Sequence, residues 1–468
     1  MKKQAVLRFR RILRVSSALS LLPICGVSAA FSQTETGTSA AAAETAGKNE
    51  ESERSKELNT LRYGLDDEII ALLDSFLKEN TYPYRTEIYE LFGKTKSVSV
   101  REKIIAYFTQ AADPCLSEYA LAVAADPFDT RKSTVSLVFK YVSALKLTEA
   151  AGSVRTLLEN ENEDYFDAAL SALGDIGSAD DAVFIAEYLD RTDLSVARQQ
   201  SLMKVLGKLK AVETWDALVE IAKDENRNSF VRMYAAEAIG TLEKPESVPV
   251  LAELFETSDP NFRASVVKGL SNYTDKAAEA VVIEAIRDAH YKVRLEAVAA
   301  VKKLKLKDAE PSLLYRAKND PEASVKYACY DALGFLGSAD GNKYLVSLLK
   351  DAKLNDTAKT KAAAALVEYG NASGTDAVID LARSTLADDK KKSLRYALGK
   401  LFASTENGAF AGICGEYLAS KDVATVGTGL DIYAKNRFPS LTAEVKRIAE
   451  DEKAGANRTK ARKILDRE

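Results

Sequence analysis

Six basic residues recur at one position of a repeated sequence pattern, and they are the strongest candidates for chemistry in this chain. We call Arg232, Arg263, Arg294, Lys326, Lys359 and Arg395 the basic series. One interpretation is a docking surface for an acidic peptide or an acidic protein surface. The other is structural, with each cation bound to a turn carboxylate or to helix C-terminal carbonyl groups.

Aspartates stand shortly before five members of the basic series. They are Asp259, Asp288, Asp320, Asp356 and Asp389. Opposite charges this close along the chain are natural partners. We therefore expect the basic series to be mostly structural, with each upstream aspartate as the partner.

Aromatic side chains near the same segments form a second candidate surface. Those that fall off the apolar stripe of the pattern are Phe230, Tyr234, Tyr291, Tyr327 and Tyr330. Aromatics beside arginines are the usual anchors of protein interfaces, so these residues are predicted to contact a protein partner. Tyr165 and Phe262 lead copies of the pattern and are expected in the core.

Catalytic chemistry finds little support in the residue types. His290 is the only histidine, which excludes multi-histidine metal sites and makes a histidine-based triad a poor expectation. We expect it to have a surface or capping role. Cys115, Cys329 and Cys414 are far apart and predict no disulfide framework. The sequence thus predicts no enzyme, no cofactor and no metal site, although an acid pair that meets only in three dimensions stays open.

An apolar pattern at offsets of 0, 4, 7, 8 and 11 residues positions these candidates. Val231, Ala235, Ala238, Ile239 and Leu242 show it most clearly. Twelve copies begin at Leu65, Val100, Thr134, Tyr165, Arg198, Val231, Phe262, Val293, Val325, Ala358, Leu394 and Val426, with a mean step of about 33 residues. The offsets are those of one helical face, so the chain predicts a repeated helix.

A second amphipathic segment lies between successive copies of the pattern, as at Trp215, Leu218 and Ile221. Each unit is therefore predicted to be a helical hairpin that stacks on its neighbours. Glycines such as Gly240 and Gly334 are expected to end helices. Asp259–Pro260 and Asp320–Pro321 are expected to open the next turn. The predicted fold is all-α, a right-handed α-solenoid of about twelve hairpins over 58–456, with 457–468 as a capping helix or tail.

Three segments resemble HEAT repeats, especially the short type found in phycobilisome-lyase-like proteins. They run from Ser229 to Gly240, from Tyr291 to Val301, and from Asp320 through Gly334. The marker residues of tetratricopeptide and ankyrin repeats are missing. The resemblance implies a scaffold whose second helices line a concave face, but not the bilin-lyase activity of a few relatives.

Residues 1–30 combine a basic head with an apolar stretch that ends in small residues, which is typical of a secretory signal peptide cut near Ala30. Residues 31–57 lack periodicity and are predicted to be a disordered linker. The leader holds six basic residues and no acids, so its removal would take the formal net charge from −4 to −10. An acidic exported chain of this kind is not expected to bind nucleic acid.

These features together predict a non-catalytic HEAT-repeat scaffold that binds a protein or peptide partner, acidic if the basic series is the docking surface. We expect it in the periplasm or at the cell surface of a bacterium, without a membrane span after cleavage. Two alternatives stay open: an enzyme or lyase-type accessory protein on the same scaffold, and a structural spacer of the envelope. Neither the partner nor the oligomeric state follows from the sequence.

Overall fold

The computed structural model describes residues 54–191, 193–370 and 372–466, which belong to one compact unit. Within these ranges the chain forms helices joined by short turns, and no strand occurs there. The predicted all-α solenoid is confirmed. The predicted signal peptide and residues 31–53 of the predicted linker lie outside the described residues. Residues 54–57, assigned to the linker by the sequence, are helical.

Helices of two layers alternate along the chain. The odd-numbered helices are α1 (54–63), α3 (Arg85–Lys94), α5 (Ser117–Ala125), α7 (Ala151–Glu159), α9 (Ala179–Ala186), α11 (Trp215–Lys223), α13 (Ser247–Phe255), α15 (Lys276–Ala285), α17 (Glu310–Asn319), α19 (Ala339–Lys350), α21 (Ala372–Leu386), α23 (Ala411–Leu418) and α25 (Thr442–Glu450). The even-numbered helices are α2 (Asp66–Glu79), α4 (Val98–Gln110), α6 (Lys132–Leu145), α8 (Phe166–Ile176), α10 (Val196–Lys208), α12 (Ser229–Thr241), α14 (Pro260–Leu270), α16 (Tyr291–Leu304), α18 (Ala323–Leu336), α20 (Asp356–Glu368), α22 (Lys392–Ser404), α24 (Val423–Asn436) and α26 (Ala456–Leu465).

Short 3₁₀ turns connect many of these helices. They are Pro114–Leu116, Thr148–Ala150, Glu187–Asp190, Val212–Thr214, Lys307–Ala309, Asp389–Lys391, Gly408–Phe410, Pro439–Leu441 and Glu452–Ala454. Polar side chains satisfy the first backbone amides of many helices, as Ser97 does for α4 and Asp259 for α14. Pro260 follows Asp259 at the first position of α14, as its fixed φ favours.

The even-numbered helices stack directly on one another, α2 on α4 and so on to α26, and each also packs on the preceding odd-numbered helix. The twelve copies of the apolar pattern fall on α2 to α24, and α26 packs against α24. A hairpin cannot bury its own apolar face alone, so stacking creates one continuous core.

Residues of the apolar pattern form that core. Val231, Ala235, Ala238, Ile239 and Leu242 are all buried, and so are the equivalent residues of α14 from Phe262 to Tyr273. Burying a valine, leucine, isoleucine or phenylalanine side chain contributes about 1.5–3 kcal/mol to the stability of the fold. Leu65 is an exception, since it precedes α2 and is 73% exposed.

Glycines of the pattern have a different role from the one predicted. Gly240 and Gly334 do not end their helices but lie inside the last turns of α12 and α18. A methyl group on Gly240 would lie 2.5 Å from the carbonyl oxygen of Gly269 in α14, and one on Gly334 would overlap the backbone of Ala365 in α20. These glycines therefore let neighbouring even-numbered helices approach closely.

Candidate functional site

Two arginines of the basic series clamp neighbouring repeats together. Arg263 contacts both carboxylate oxygens of Asp288, at 2.7 and 2.9 Å, and Arg294 contacts those of Asp320, both at 2.7 Å. The remaining Nη1 of Arg294 donates to the backbone oxygens of Asp288 and Ala289. The structural interpretation is therefore right for both, but the aspartate that pairs follows the arginine in the next unit instead of preceding it.

Arg232 and Arg395 also bind backbone carbonyls. Arg232 donates to the oxygen of Ala222 at the end of α11 and lies over the ring of Phe262. Arg395 donates to the oxygens of Thr385, Leu386 and Asp388 around the end of α21. A cation at a helix C-terminus is favoured by the exposed carbonyl groups. Like Arg294, Arg395 is buried, so these two side chains are not exposed to a partner.

Lys326 and Lys359 differ from the arginines. Both are half-buried, and in the described part of the chain neither makes a hydrogen bond or an ion pair. Their predicted contact with a partner stays a prediction. The basic series as a whole is therefore not one continuous surface.

The predicted aromatic surface is divided in a similar way. Phe230 is 54% and Tyr291 37% exposed, at the starts of α12 and α16. Tyr234 and Tyr327 are half-buried, whereas Tyr330 is buried and packs against Tyr344. The prediction that Tyr330 lies off the buried stripe is wrong, because the core of its hairpin extends one helical position further than the apolar pattern.

His290 and the cysteines have structural positions. The His290 side chain accepts a hydrogen bond from the backbone N–H of Lys292 at the start of α16, which confirms the capping role. Cys329 and Cys414 are buried, and burial raises the pKa of each thiol to about 12. In the described ranges the cysteines Cys115, Cys329 and Cys414 are free.

A recess opens on the exposed side of the layer of even-numbered helices. We call this side of the layer the inner face. Recess 1 has a volume of about 690 Å³ and lies between α6 and α8. Its walls combine small and polar residues of the two helices, namely Ser136, Lys140, Ser143, Ala144, Lys146, Asp167, Ala168, Ser171, Ala172 and Asp175, with Phe139 beneath. Recess 1 is therefore an open groove between two repeats.

A second recess lies further along the inner face. Recess 2 has a volume of about 380 Å³ and is lined by α10 and α12, with Asn272 from the turn after α14. Tyr234, predicted to contact a partner, forms part of its wall beside Met203. An ion pair between Lys208 and Asp175, at 3.1 Å, connects the two recesses. Together they form what we call the inner groove.

Each carboxylate that lines the inner groove has its own cation. Asp175 pairs with Lys146 and Lys208, Asp167 with Arg198, Glu237 with Lys268, and Glu243 with Lys210. Partial burial acts to raise the pKa of Asp175, but the hydrogen bonds and charges of Lys208 and Lys146 together lower it. These acids are therefore neutralised within the fold.

Two lysines of the inner groove lack such a partner. Lys140 in recess 1 and Lys204 in recess 2 are exposed, and within the described ranges neither makes a hydrogen bond or an ion pair. The groove thus carries positive charge in excess of what its own acids neutralise. Excess positive charge of this kind attracts anionic groups.

Sequence reasoning missed these lysines, although the repeat contains a signal for them. Lys140, Lys204, Lys268 and Lys400 all stand six residues after the leader of their copy of the pattern. That offset lies on the exposed side of the helix, opposite the buried offsets. A search of the exposed offsets for repeated charge would have identified them.

Two carboxylates meet beside recess 2. Glu237 of α12 accepts hydrogen bonds from Lys268 and Ser265 of α14, at 2.6 and 3.2 Å. The pKa of Glu296 in α16 is raised, mainly because the side chain is partly buried, and the negative charge of Glu237 adds to the rise. The positive charges of Lys268 and Lys303 oppose this shift but do not cancel it. A carboxyl with a raised pKa can exchange protons nearer neutral pH than an ordinary glutamate.

We expect Glu296 to make the stability of the protein depend on pH. The folded protein favours the protonated form of Glu296, so the stability that this form contributes to the fold is lost as pH rises through the raised pKa. Glu296→Gln should therefore resist urea better than the parent at about pH 8 and equally at about pH 4, when both side chains are neutral. Urea midpoints of the two proteins at both pH values test this. An equal difference at both pH values would contradict it.

Comparison with known proteins identifies a family for this chain and finds relatives that are named as an enzyme. Residues 61–464 match the family described as spirochaete HEAT repeat protein. Deoxyhypusine hydroxylase from Candida albicans is 28% identical over 128 residues, which span 27% of this chain and 40% of the relative. Deoxyhypusine hydroxylase-B from Oryza sativa subsp. japonica is 28% identical over 224 residues, 44% and 72% of the respective chains.

Solved structures with a similar arrangement of helices are more distant in sequence. The karyopherin Kap121p bound to Nup53p is 12% identical, with a TM-score of 0.39, over 87% of this chain and 52% of that chain. The complex of CpcE and CpcF of phycocyanin lyase from Nostoc sp. is 19% identical, with a TM-score of 0.32, over 54% of this chain and 94% of that chain.

The prediction that the chain is not an enzyme is wrong by this comparison. The curated relatives bear the name of an enzyme, at low identity and over part of their length. Residue types alone suggested otherwise because a single histidine and scattered cysteines match no familiar catalytic motif. Among the described residues no group of three or more His, Cys, Asp or Glu side chains could hold a metal ion, and no helix is long and apolar enough to cross a membrane.

Proposed function

We propose that the inner groove of this chain holds an extended, acidic segment of another protein. The chain belongs to the family of spirochaete HEAT repeat proteins. The observation that carries the proposal is that Lys140 and Lys204 make no ion pair or hydrogen bond with the described residues, in a groove whose acids are already paired. Charge complementarity of this kind speeds association and selects acidic partners.

The shape of the inner groove supports an extended ligand. Recess 1 lies between α6 and α8 and recess 2 between α10 and α12, and the Lys208–Asp175 ion pair joins them, so one peptide strand can occupy both. The half-buried side chains of Ala168 in recess 1 and Tyr234 in recess 2 offer apolar contacts to a ligand. A partner would gain affinity from several such contacts, each modest by itself.

The double variant Lys140→Glu and Lys204→Glu should lose an acidic ligand and keep the fold. Both side chains are exposed and make no hydrogen bond or ion pair within residues 54–191, 193–370 and 372–466, so the thermal melting curve should match the parent's. We expect affinity for a labelled, glutamate-rich peptide to fall about a hundredfold, since two attractive charges become repulsive. Fluorescence anisotropy at low and high salt measures this, and added salt should weaken only the parent.

A matched control reverses two charges on the opposite layer. Lys343 and Lys350 of α19 are also exposed and also make no hydrogen bond or ion pair within the described residues. Lys343→Glu with Lys350→Glu gives the same net charge as the test variant. Equal loss of binding in both variants would show attraction by overall charge alone and would refute the inner groove as the site.

The location of this binding is part of the same proposal. Residues 1–30, with their basic head and apolar stretch, support export to the periplasm or the cell surface. The N-terminal sequence of protein recovered from separated cell fractions tests it. A chain that begins near residue 31 in the envelope fraction would support export, and an uncut chain in the cytosol would contradict it.

The curated relatives favour a second candidate function, an enzyme on the same scaffold. The inner face offers Glu296, with its raised pKa, and Glu237 beside recess 2 as groups that could move protons. The test incubates the purified protein with a deoxyhypusine-containing protein, dioxygen and a two-electron reductant, and measures by mass spectrometry whether an oxygen atom is gained. Gain of oxygen that persists in a Glu296→Gln variant would remove Glu296 from this role.

A further inference from the structure

A separate recess opens on the layer of odd-numbered helices. It has a volume of about 400 Å³ and is lined by Arg287, Pro311, Ser312, Tyr315 and Arg316, between the end of α15 and α17. We call it the outer recess. A hollow of about 580 Å³ between α13 and α15 adjoins it and shares Arg287. The outer recess shares no residue with the inner groove.

The charged side chains that line the outer recess are both arginines. Arg316 is fixed, because its Nε donates to the backbone oxygen of Ile286 at 3.0 Å and its Nη1 lies 3.8 Å from Asp320. Arg287 is exposed, and in the described ranges its side chain makes no hydrogen bond or ion pair. One guanidinium is therefore held in place, and the other is free to close on a ligand. Arginine pairs of this kind suit carboxylate binding.

The wall beside the arginines is apolar and aromatic. Tyr315 is 60% exposed, and the guanidinium of Arg316 lies 5.6 Å from its ring centre. Pro311 adds a rigid apolar surface in the first turn of α17. Exposed tyrosine and arginine together are the residue types that contribute most binding energy at protein interfaces. A ligand here would gain both an ionic and an apolar contact.

We propose that the outer recess binds a peptide segment in which a glutamate or aspartate follows an apolar residue. The carboxylate lies between Arg287 and Arg316, and the apolar side chain packs on Tyr315 and Pro311. This site is independent of the inner groove and lies on the other layer of the solenoid. The chain can then hold two partners at once, one on each layer.

Short labelled peptides test the outer recess directly. The probes have the form Gly-X-Glu-Gly, with phenylalanine, tyrosine or leucine at X, and matched peptides carry glutamine or phosphoserine in place of glutamate. Fluorescence anisotropy with the full chain should give saturable binding of a glutamate peptide, at least about tenfold weaker with Arg287→Gln. Tyr315→Ala should weaken the same peptide, whereas the glutamine peptide should not bind measurably.

Controls separate this site from the inner groove and from a loss of folding. Lys350→Gln removes one exposed charge from α19 outside the recess and should bind like the parent, as should the Lys140→Glu and Lys204→Glu variant. Arg287→Gln should melt like the parent, since the exposed Arg287 side chain makes no hydrogen bond or ion pair with the described part of the chain. The proposal fails if no glutamate peptide binds below about 1 mM, if Arg287→Gln binds unchanged, or if the phosphoserine peptide binds more tightly than the glutamate peptide.

Discussion

Replacing Asp320 by alanine is expected to destabilise the solenoid by about 3–5 kcal/mol, the usual cost of removing one partner of a buried ion pair. The side chain of Asp320 is fully buried, and that of Arg294 is 4% exposed. Without the carboxylate, Arg294 and the nearby Arg316 would face each other as uncompensated cations. The backbone N–H of Glu322 donates a hydrogen bond to the Asp320 carboxylate and would lose this partner.

Urea unfolding followed by circular dichroism measures this loss, with hydrogen exchange over α16 to α18 to localise it. Repeat arrays can unfold in segments, so the variant is expected to open first at the α16–α18 contact. Glu163→Ala is the matched control, because Glu163 pairs with Arg198 across repeats but is exposed. It should unfold like the parent. Unfolding of the Asp320 variant at the parent's urea concentration would contradict the role of the pair.

A Gly240→Ala substitution should destabilise the protein by about 1–3 kcal/mol, although alanine is the better helix former. The added methyl group would lie 2.5 Å from the carbonyl oxygen and 2.7 Å from the carbonyl carbon of Gly269. Backbone atoms cannot rotate away, so α12 and α14 would have to separate. Separation would open the apolar core between these two helices.

The matched control changes a glycine with free space around it. Gly93 in α3 has no atom within 4 Å of an added methyl group, so Gly93→Ala should stabilise the protein by about 0.5–1 kcal/mol. The measurement is again the urea midpoint of each variant. Opposite signs for Gly240 and Gly93 are the expected result. A stabilising effect at both positions would show that α12 and α14 are not held together by close backbone contact.

The fold could be predicted because the same apolar pattern recurs in twelve successive units. The buried offsets of Val231, Phe262 and their equivalents define one helical face, and stacking is the only way to bury it. Details that depend on contacts between units could not be read in this way. Arg294 could have paired with the aspartate before it, and only the stacking of α16 on α18 brings Asp320 to it.

The candidate site was predicted less well, for a physical reason. The basic series was chosen by its position next to the buried stripe, where long arginine side chains reach the turns of neighbouring units and are used by the fold. Lys140 and Lys204 lie on the opposite side of their helices, where they make no hydrogen bond or ion pair with the described residues. A repeated charge far from the buried stripe is therefore the better guide to side chains that the fold itself does not use.

One measurement tests the central claim, that an acidic segment of another protein occupies the inner groove. A photo-crosslinking residue placed at Ser171, in the wall of recess 1, is compared in living cells with one at Ser347 on α19. We predict crosslinks from Ser171 to acidic segments, identified by mass spectrometry, that disappear when Lys140 and Lys204 are changed to glutamate. Equal crosslinking from Ser347, or crosslinks from Ser171 that survive the charge reversal, would contradict the account.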